Sequence, residues 1–220
     1  MEISRVTRTR KEAKAFYNQI SRWYDLLAGT SEKKCWEVCV QKLRVQEGEQ
    51  LLEIGFGTGS CLLTLAELVG HPGRVYGIDI SEAMCEISQE KVKIAGFTDR
   101  IGLRCGDAIH LPFDDNVVDA IIMNFTLELF DTPDIPILLS ECHRVLRNNG
   151  RIGVVSLSKK QDTKVMIRIY EWANRWFPRL VDCQPIFVEE AVFTAGFQPV
   201  DVADLSLWGL PVKVVVATKK

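Results

Sequence analysis

Short, almost wholly apolar runs alternate along this chain with longer stretches in which apolar residues return every three or four positions. Residues about 50–55, 74–79, 101–104, 118–123 and 150–157 read as strands. Val75-Tyr76-Gly77-Ile78 and Ala120-Ile121-Ile122-Met123 are apolar at successive positions, as strands buried on both faces require. Helical spacing occupies 60–69, 82–95 and 135–147 between them. Strand–helix alternation of this kind predicts a parallel sheet covered by helices on both sides. Upstream, Phe16, Ile20, Tyr24 and Leu27 share one face of a helix over about 10–28, and a second helix runs from Ser31 to Leu43. Downstream, a long helical stretch precedes a short helix at 188–195 and strands near 197–207 and 211–218. Leu210-Pro211 between those strands predicts the reversal of an antiparallel hairpin at the sheet edge. The fold class is therefore α/β, a doubly wound, mostly parallel seven-stranded sheet with an antiparallel C-terminal hairpin.

The chain has 220 residues, enough for one such domain and little more. Four parts are expected: an N-terminal helical cap at 1–45, a ligand-binding core at 46–157, a helical lid at 158–187, and a closing helix with edge strands at 188–220. A hydrophobic content of 47% excludes a disordered polymer, and a net charge of -2 argues against a nucleic-acid binder. No apolar run approaches the roughly 18 residues of a membrane span. The opening residues carry Arg5, Arg8, Arg10 and Lys11 without an apolar segment, so a cytoplasmic location is expected. Seven cysteines, odd in number, scattered and without a C-x-x-C pair, read as reduced apolar fillers; no metal site is expected.

Chemistry concentrates where the first strand meets its helix, in Glu53-Ile54-Gly55-Phe56-Gly57-Thr58-Gly59-Ser60. Open α/β sheets bind ligands beyond the carboxyl ends of their strands, and a glycine-rich bend there lets a ligand approach the backbone. Asp79 closes the second strand about 20 residues after the last glycine, the separation at which an acid reaches ribose hydroxyls. Glu53 sits in the last turn of a buried strand, where a carboxylate is costly without a partner. A pyrophosphate disfavours a carboxylate at that position and an ammonium group welcomes it. Ser60 also stands where the dinucleotide fingerprint needs glycine. An amino-acid-bearing nucleoside is favoured over a nicotinamide dinucleotide.

Leu51-Leu52-Glu53-Ile54-Gly55-Phe56-Gly57-Thr58-Gly59 resembles motif I of the class I S-adenosylmethionine-dependent methyltransferases. Gly77-Ile78-Asp79-Ile80-Ser81 with Met84 resembles their second motif, and Cys105-Gly106-Asp107-Ala108 with Leu111-Pro112-Phe113 their adenine segment. Arg144-Val145-Leu146-Arg147-Asn148-Asn149-Gly150 completes a run in the same order. Phe16-Tyr17-Asn18 through Trp23-Tyr24-Asp25-Leu26-Leu27 is similar to the N-terminal pattern of the ubiquinone/menaquinone-biosynthesis methyltransferases. Asn124-Phe125-Thr126-Leu127-Glu128-Leu129 stands where that group carries glycine and arginine.

The resemblance implies methyl transfer from S-adenosyl-L-methionine to a small-molecule acceptor, a quinol, phenolic or isoprenoid precursor. It implies that Gly55, Gly57 and Gly59 pass beneath the cofactor and that Glu53 orients its ammonium group. Asp79 would hold the ribose, with Ile80 and Met84 against adenine. Asp107 and Ala108 would meet the adenine amino group, and Asn124 would line the floor near the sulfonium. No general base declares itself. Glu128 and Tyr24 are the candidates, with a solvated loop carboxylate as the plainer reading of Glu128. Tyr170, Trp172 and Trp176, on a helix with Met166 and Phe177, are candidate acceptor contacts. The basic residues Lys159, Lys160, Lys164 and Arg168 are a solvated face or a peripheral membrane contact. A catalytically silent domain of the same fold, acting as a partner or regulatory subunit, is the alternative.

Overall fold

The computed structural model describes Lys14, Ala15, Asn18 and residues 30–158 and 185–220. Its elements follow in the order α1 (Thr30–Leu43), β1 (Gln50–Ile54), α2 (Ser60–Val69), β2 (Arg74–Asp79), α3 (Glu82–Ile94), β3 (Ile101–Cys105) and β4 (Val118–Asn124). A 3-10 turn (Leu127–Leu129), α4 (Asp134–Val145), β5 (Leu146–Leu157), α5 (Val188–Thr194), β6 (Phe197–Leu207) and β7 (Leu210–Lys219) complete it.

The strands form one seven-stranded sheet in the order β3-β2-β1-β4-β5-β7-β6. β1 pairs in parallel with β2 on one side and with β4 on the other. Chain direction around the sheet reverses at that point, which opens a crevice beyond the carboxyl ends of β1, β2 and β4. Central position explains composition. All but the first residue of β1 are buried, and β4 is buried from Ala120 to Met123. One apolar layer joins Trp36, Cys39 and Leu43 of α1 to Leu62 and Leu65 of α2 across Leu51 and Ile122. The opposite layer joins Leu138, Leu139 and Cys142 of α4 to Val188 and Val192 of α5 across Leu52, Ile121 and Val154. α1, although within the expected N-terminal cap, covers the sheet itself; Cys39 lies against Gly153 of β5, where a Cβ would stand 2.7 Å from its sulfur.

Two boundaries depart from the pattern reading. The hairpin turns at Trp208-Gly209, both with positive φ (51° and 83°), while Leu210 and Pro211 belong to β7. Two successive left-handed residues match the right-handed twist of flanking strands, as the tightest hairpins need. β5 begins at Leu146, several residues early, because its pairing with β4 jumps from Val118↔Leu146 to Ala120↔Arg151. The extra residues form a bulge containing Asn149 at φ 64°.

Arg144 ties the β3–β4 connection to α4. Its guanidinium bonds Glu141 (2.7 Å), Asp115 (2.8 Å) and the carbonyls of Phe113 (2.7 Å) and Leu111 (3.0 Å). The Leu111 amide in turn donates to Glu141 at 2.9 Å. This fork holds one rim of the crevice in place. At the other rim, Asn18 Oδ1 accepts from the Ser81 hydroxyl (2.6 Å) and the Ala83 amide (3.2 Å), and Lys14 pairs with Glu82 at 2.6 Å. Lys14 and Asn18 thus contact the start of α3. No helix among the described residues is long and apolar enough to cross a membrane.

Candidate functional site

The crevice forms a cleft of about 130 Å³ beyond β1, β2 and β4. Its floor is the bend after β1, where Gly55 and Gly57 have φ of 72° and 52°. A Cβ on Gly55 would stand 2.3 Å from Thr126 Oγ1, so this glycine permits the chain leaving β4 to close on the bend. A Cβ on Gly57 would meet nothing within 4 Å. The bend is therefore open at Gly57 and closed by Thr126 at Gly55.

Asp79 ends β2 at this floor. Its Oδ2 accepts from the Gly57 amide (2.9 Å) and its Oδ1 from the Ser81 amide (2.9 Å). Burial pushes its carboxyl above the usual range, while those amides and that of Ile80 pull it back. Each oxygen keeps acceptor capacity for a further donor. Ser81 caps α3, its hydroxyl oxygen accepting from the Met84 amide at 3.2 Å, which brings Met84 and Ile80 to the wall of the cleft.

Glu53 lies behind the floor, 2% exposed. Its Oε1 accepts from Asn124 Nδ2 at 3.2 Å. Its Oε2 and the Asn124 Oδ1 are buried without hydrogen-bond partners among the described residues. Burial pushes the Glu53 carboxyl up to about 8, against the opposing pull of Asn124 and the neighbouring Cys61 thiol. A buried acceptor without a partner is costly in an apolar surrounding, and a cation or donor placed beside it relieves that cost.

Beyond the neighbouring tip of β3, whose Cys105 pairs with Asp79, Asp107 and Ala108 line the cleft, with Asp107 Oδ1 accepting from the Ile109 amide at 3.0 Å. The fourth wall is the segment after β4, with Phe125, Thr126, Leu129, Phe130, Asp131 and Asp134. Phe125 holds φ 50°, an outlier for an aromatic residue and one often found at ligand clamps. Among the described residues, no three His, Cys, Asp or Glu side chains gather to hold a metal ion.

Residues 51–150 match a family described as a methyltransferase domain. A demethylmenaquinone methyltransferase from Symbiobacterium thermophilum is 30% identical over 199 residues, covering 89% of this chain and 77% of that protein. The chain belongs to the class I S-adenosylmethionine-dependent methyltransferases. A second methyltransferase of the same name, from Lactobacillus johnsonii, is 33% identical over 139 residues, and the match spans only 55% of its length. Among solved structures, the cyclase SpnF superposes with a TM-score of 0.77 at 18% identity, covering 96% of this chain and 97% of that one. That likeness shows the fold, and the name of SpnF shows that this fold does not by itself dictate one reaction.

Against the methyltransferase pattern, the structure brings Gly55, Gly57, Asp79, Ile80, Met84, Asp107, Ala108 and Asn124 to one cleft. Gly59 is not on its lining. It caps α2 at φ 82°, and a Cβ there would stand 2.8 Å from Ser88 Oγ, so glycine lets α3 approach the start of α2. Glu53 is not on the lining either; it bonds Asn124, which is. Glu128 is not a solvated loop carboxylate: it is 1% exposed, on the 3-10 turn. Tyr24, Tyr170, Trp172 and Trp176 lie outside the described residues. Phe125, Thr126 and Phe130 also line the cleft, and their one signal in the sequence is position, immediately beyond a central strand tip.

Proposed function

We propose that this methyltransferase transfers a methyl group from S-adenosyl-L-methionine to a small, largely apolar acceptor of the quinol class. The observation that carries the reading is the pairing of an orphaned acceptor site, Glu53 Oε2 and Asn124 Oδ1, with a second acid, Asp79, across a glycine bend open at Gly57. The two ends suit an amino-acid ammonium and a ribose diol, and Ile80, Met84 and Ala108 offer an apolar slot for an adenine ring. The quinol class rests on the two relatives named demethylmenaquinone methyltransferase.

When bound, the cofactor supplies a methyl group activated by a sulfonium. The chain's contribution is alignment and exclusion of water. Asp79 accepts hydrogen bonds from the ribose while keeping the Gly57 amide, so the bend and the sugar are positioned by one carboxylate. Glu53 and Asn124 fix the far end, and Phe125 and Phe130 cover the wall on the acceptor side. No proton acceptor is needed for alignment itself; one is needed only if the acceptor must lose a proton on attack.

Methyl-labelled cofactor incubated with the protein and demethylmenaquinol tests this. Label is expected in the quinol. Label in another small phenol moves the acceptor class, and label in no product from a metabolite extract favours a silent partner domain.

A further inference from the structure

Cys85 of α3 and Cys105, the last residue of β3, meet beside the cofactor cleft, and no step above uses them. Each thiol donates to a carbonyl at the tip of β2: Cys85 to Asp79 at 3.7 Å and Cys105 to Ile80 at 3.9 Å. The two side chains also hydrogen-bond each other. The Asp79 carbonyl accepts in addition from the Gly106 amide at 2.8 Å, so α3, the end of β3 and the tip of β2 converge on one peptide. Asp79, Ile80 and Gly106 all line the cleft.

Packing accounts for only one of the two thiols. Cys85 is 4% exposed and fills space beneath α3, whereas Cys105 is exposed, where a small apolar side chain gains nothing from burial. Burial pushes the Cys85 thiol up, and the adjoining Cys105 and the acids Asp79 and Glu82 add to the rise, so Cys85 stays protonated. The Lys14 ammonium, paired with Glu82 at 2.6 Å, lies within electrostatic reach of both sulfurs and favours the negative charge that a sulfur carries as it attacks. An accessible thiol in contact with a sheltered one suits a peroxide-sensitive pair: the first meets the oxidant and the second resolves the product. Cys39 and Cys61 also stand near each other, but both are buried.

We propose that Cys85 and Cys105 form a reversible disulfide on exposure to a peroxide, and that this bond weakens cofactor binding by displacing the Asp79–Ile80 tip. The effect on the cofactor rests on the methyltransferase reading; the bond itself does not. The Cys105 sulfur attacks one peroxide oxygen, the O–O bond breaks, and the thiol proton leaves with the other oxygen as water. The Cys85 sulfur then attacks the sulfur of the Cys105 sulfenic acid, the S–O bond breaks, and the hydroxide leaves with the Cys85 proton as a second water. Two thiols are oxidised and one peroxide is reduced. The disulfide brings the sulfurs from hydrogen-bond contact to bonding distance. Neither can then donate to the Asp79 or Ile80 carbonyl, and α3 and β3 are drawn together across the residues assigned to ribose and adenine. A dithiol restores both thiols by exchange.

The test uses the intact protein, treated with hydrogen peroxide and then with iodoacetamide. Non-reducing peptide mass spectrometry is expected to show the Cys85 peptide joined to the Cys105 peptide with loss of two hydrogens. The tryptic peptide that carries Cys105 also carries Cys142, so Cys105→Ser identifies the partner, and this variant is expected to give no link. Calorimetry is expected to show S-adenosylhomocysteine binding weakened at least tenfold in oxidised wild type and restored within twofold by dithiothreitol. Met84 at the cleft wall is a second peroxide target, but its sulfoxide needs a dedicated reductase and forms in Cys105→Ser as well. Peroxide is expected to change the affinity of Cys105→Ser less than twofold. Cys85→Ala keeps the exposed thiol; it is expected to give a dimedone-reactive Cys105 without a link, and it serves alone if Cys105→Ser does not fold. A missing link, or a link through another cysteine, overturns the proposal. So does oxidised wild type that binds within twofold of the reduced form, or equal weakening in Cys105→Ser. Failure of S-adenosylhomocysteine to bind reduced wild type overturns the methyltransferase reading instead, and the mass measurement still decides whether the disulfide forms.

Discussion

Asp79→Ala is expected to weaken S-adenosylhomocysteine binding by about 100-fold or more. Two hydrogen bonds from ribose to a charged carboxylate are worth roughly 1.5–3 kcal/mol each, and about 2.7 kcal/mol is already a hundredfold. The same carboxylate accepts from Gly57 and Ser81, so its removal also frees the bend that shapes the floor. Asp79→Asn separates the two contributions. Its amide nitrogen would oppose one of those two backbone donors, so it is expected to lose most of the affinity while changing side-chain volume little. Calorimetry measures the constants, and a thermal melt of each variant shows that the fold is retained. A loss below fivefold in Asp79→Ala would remove Asp79 from ribose recognition.

The affinity should also rise with pH, and Glu53 sets the window. Its folded carboxyl is pushed up to about 8 from an ordinary 4.5. In the empty protein it keeps a proton that the unfolded chain gives up. Its contribution to stability is therefore full below about pH 4.5 and declines as pH rises from there to about 8. A bound ammonium favours the opposite, ionised form. Binding should then release a proton, and affinity should increase toward tenfold per pH unit below about 8 and flatten above it. Of the groups around Glu53, the Cys39 thiol is raised to about 12 and the Cys61 thiol well above its ordinary value, so both stay protonated through this window. Asp79 is also raised by burial and adds a slope of the same sign. Glu53→Gln subtracts the Glu53 part alone. The variant is expected to show a flatter pH profile, smaller proton release measured across buffers of different ionisation enthalpy, and weaker binding near pH 8. An unchanged profile would mean that Glu53 does not meet the ammonium.

The central strands were legible because burial on both faces forces successive apolar residues, as in Ala120-Ile121-Ile122-Met123, and this is a local property of the chain. Asp79 and Glu53 were legible for a related reason: the first is an acid where a buried strand ends, the second an acid inside one. What escaped depends on neighbours distant in sequence. The places of Phe125, Thr126 and Phe130 at the cleft follow from β4 lying beside β1, a pairing that no local pattern encodes. Gly59 belongs to the same glycine run as Gly57, yet Ser88 on α3 occupies the space beside it. Glu128 looks like a loop acid until the Leu157 amide, 29 residues on, draws it inward. The hairpin turn fell at Trp208-Gly209 because strand twist selects left-handed backbone there, and a tryptophan in that conformation leaves no trace in composition.

Titration of the intact wild-type chain with S-adenosylhomocysteine by calorimetry, at pH 8 with NAD in a parallel run, bears most directly on the cleft beyond β1, β2 and β4. One molecule is expected to bind per chain with a micromolar dissociation constant, and NAD is expected to produce no binding heat. Absence of heat with S-adenosylhomocysteine, or saturable binding of NAD in its place, would contradict the assignment of that cleft to a methyl donor.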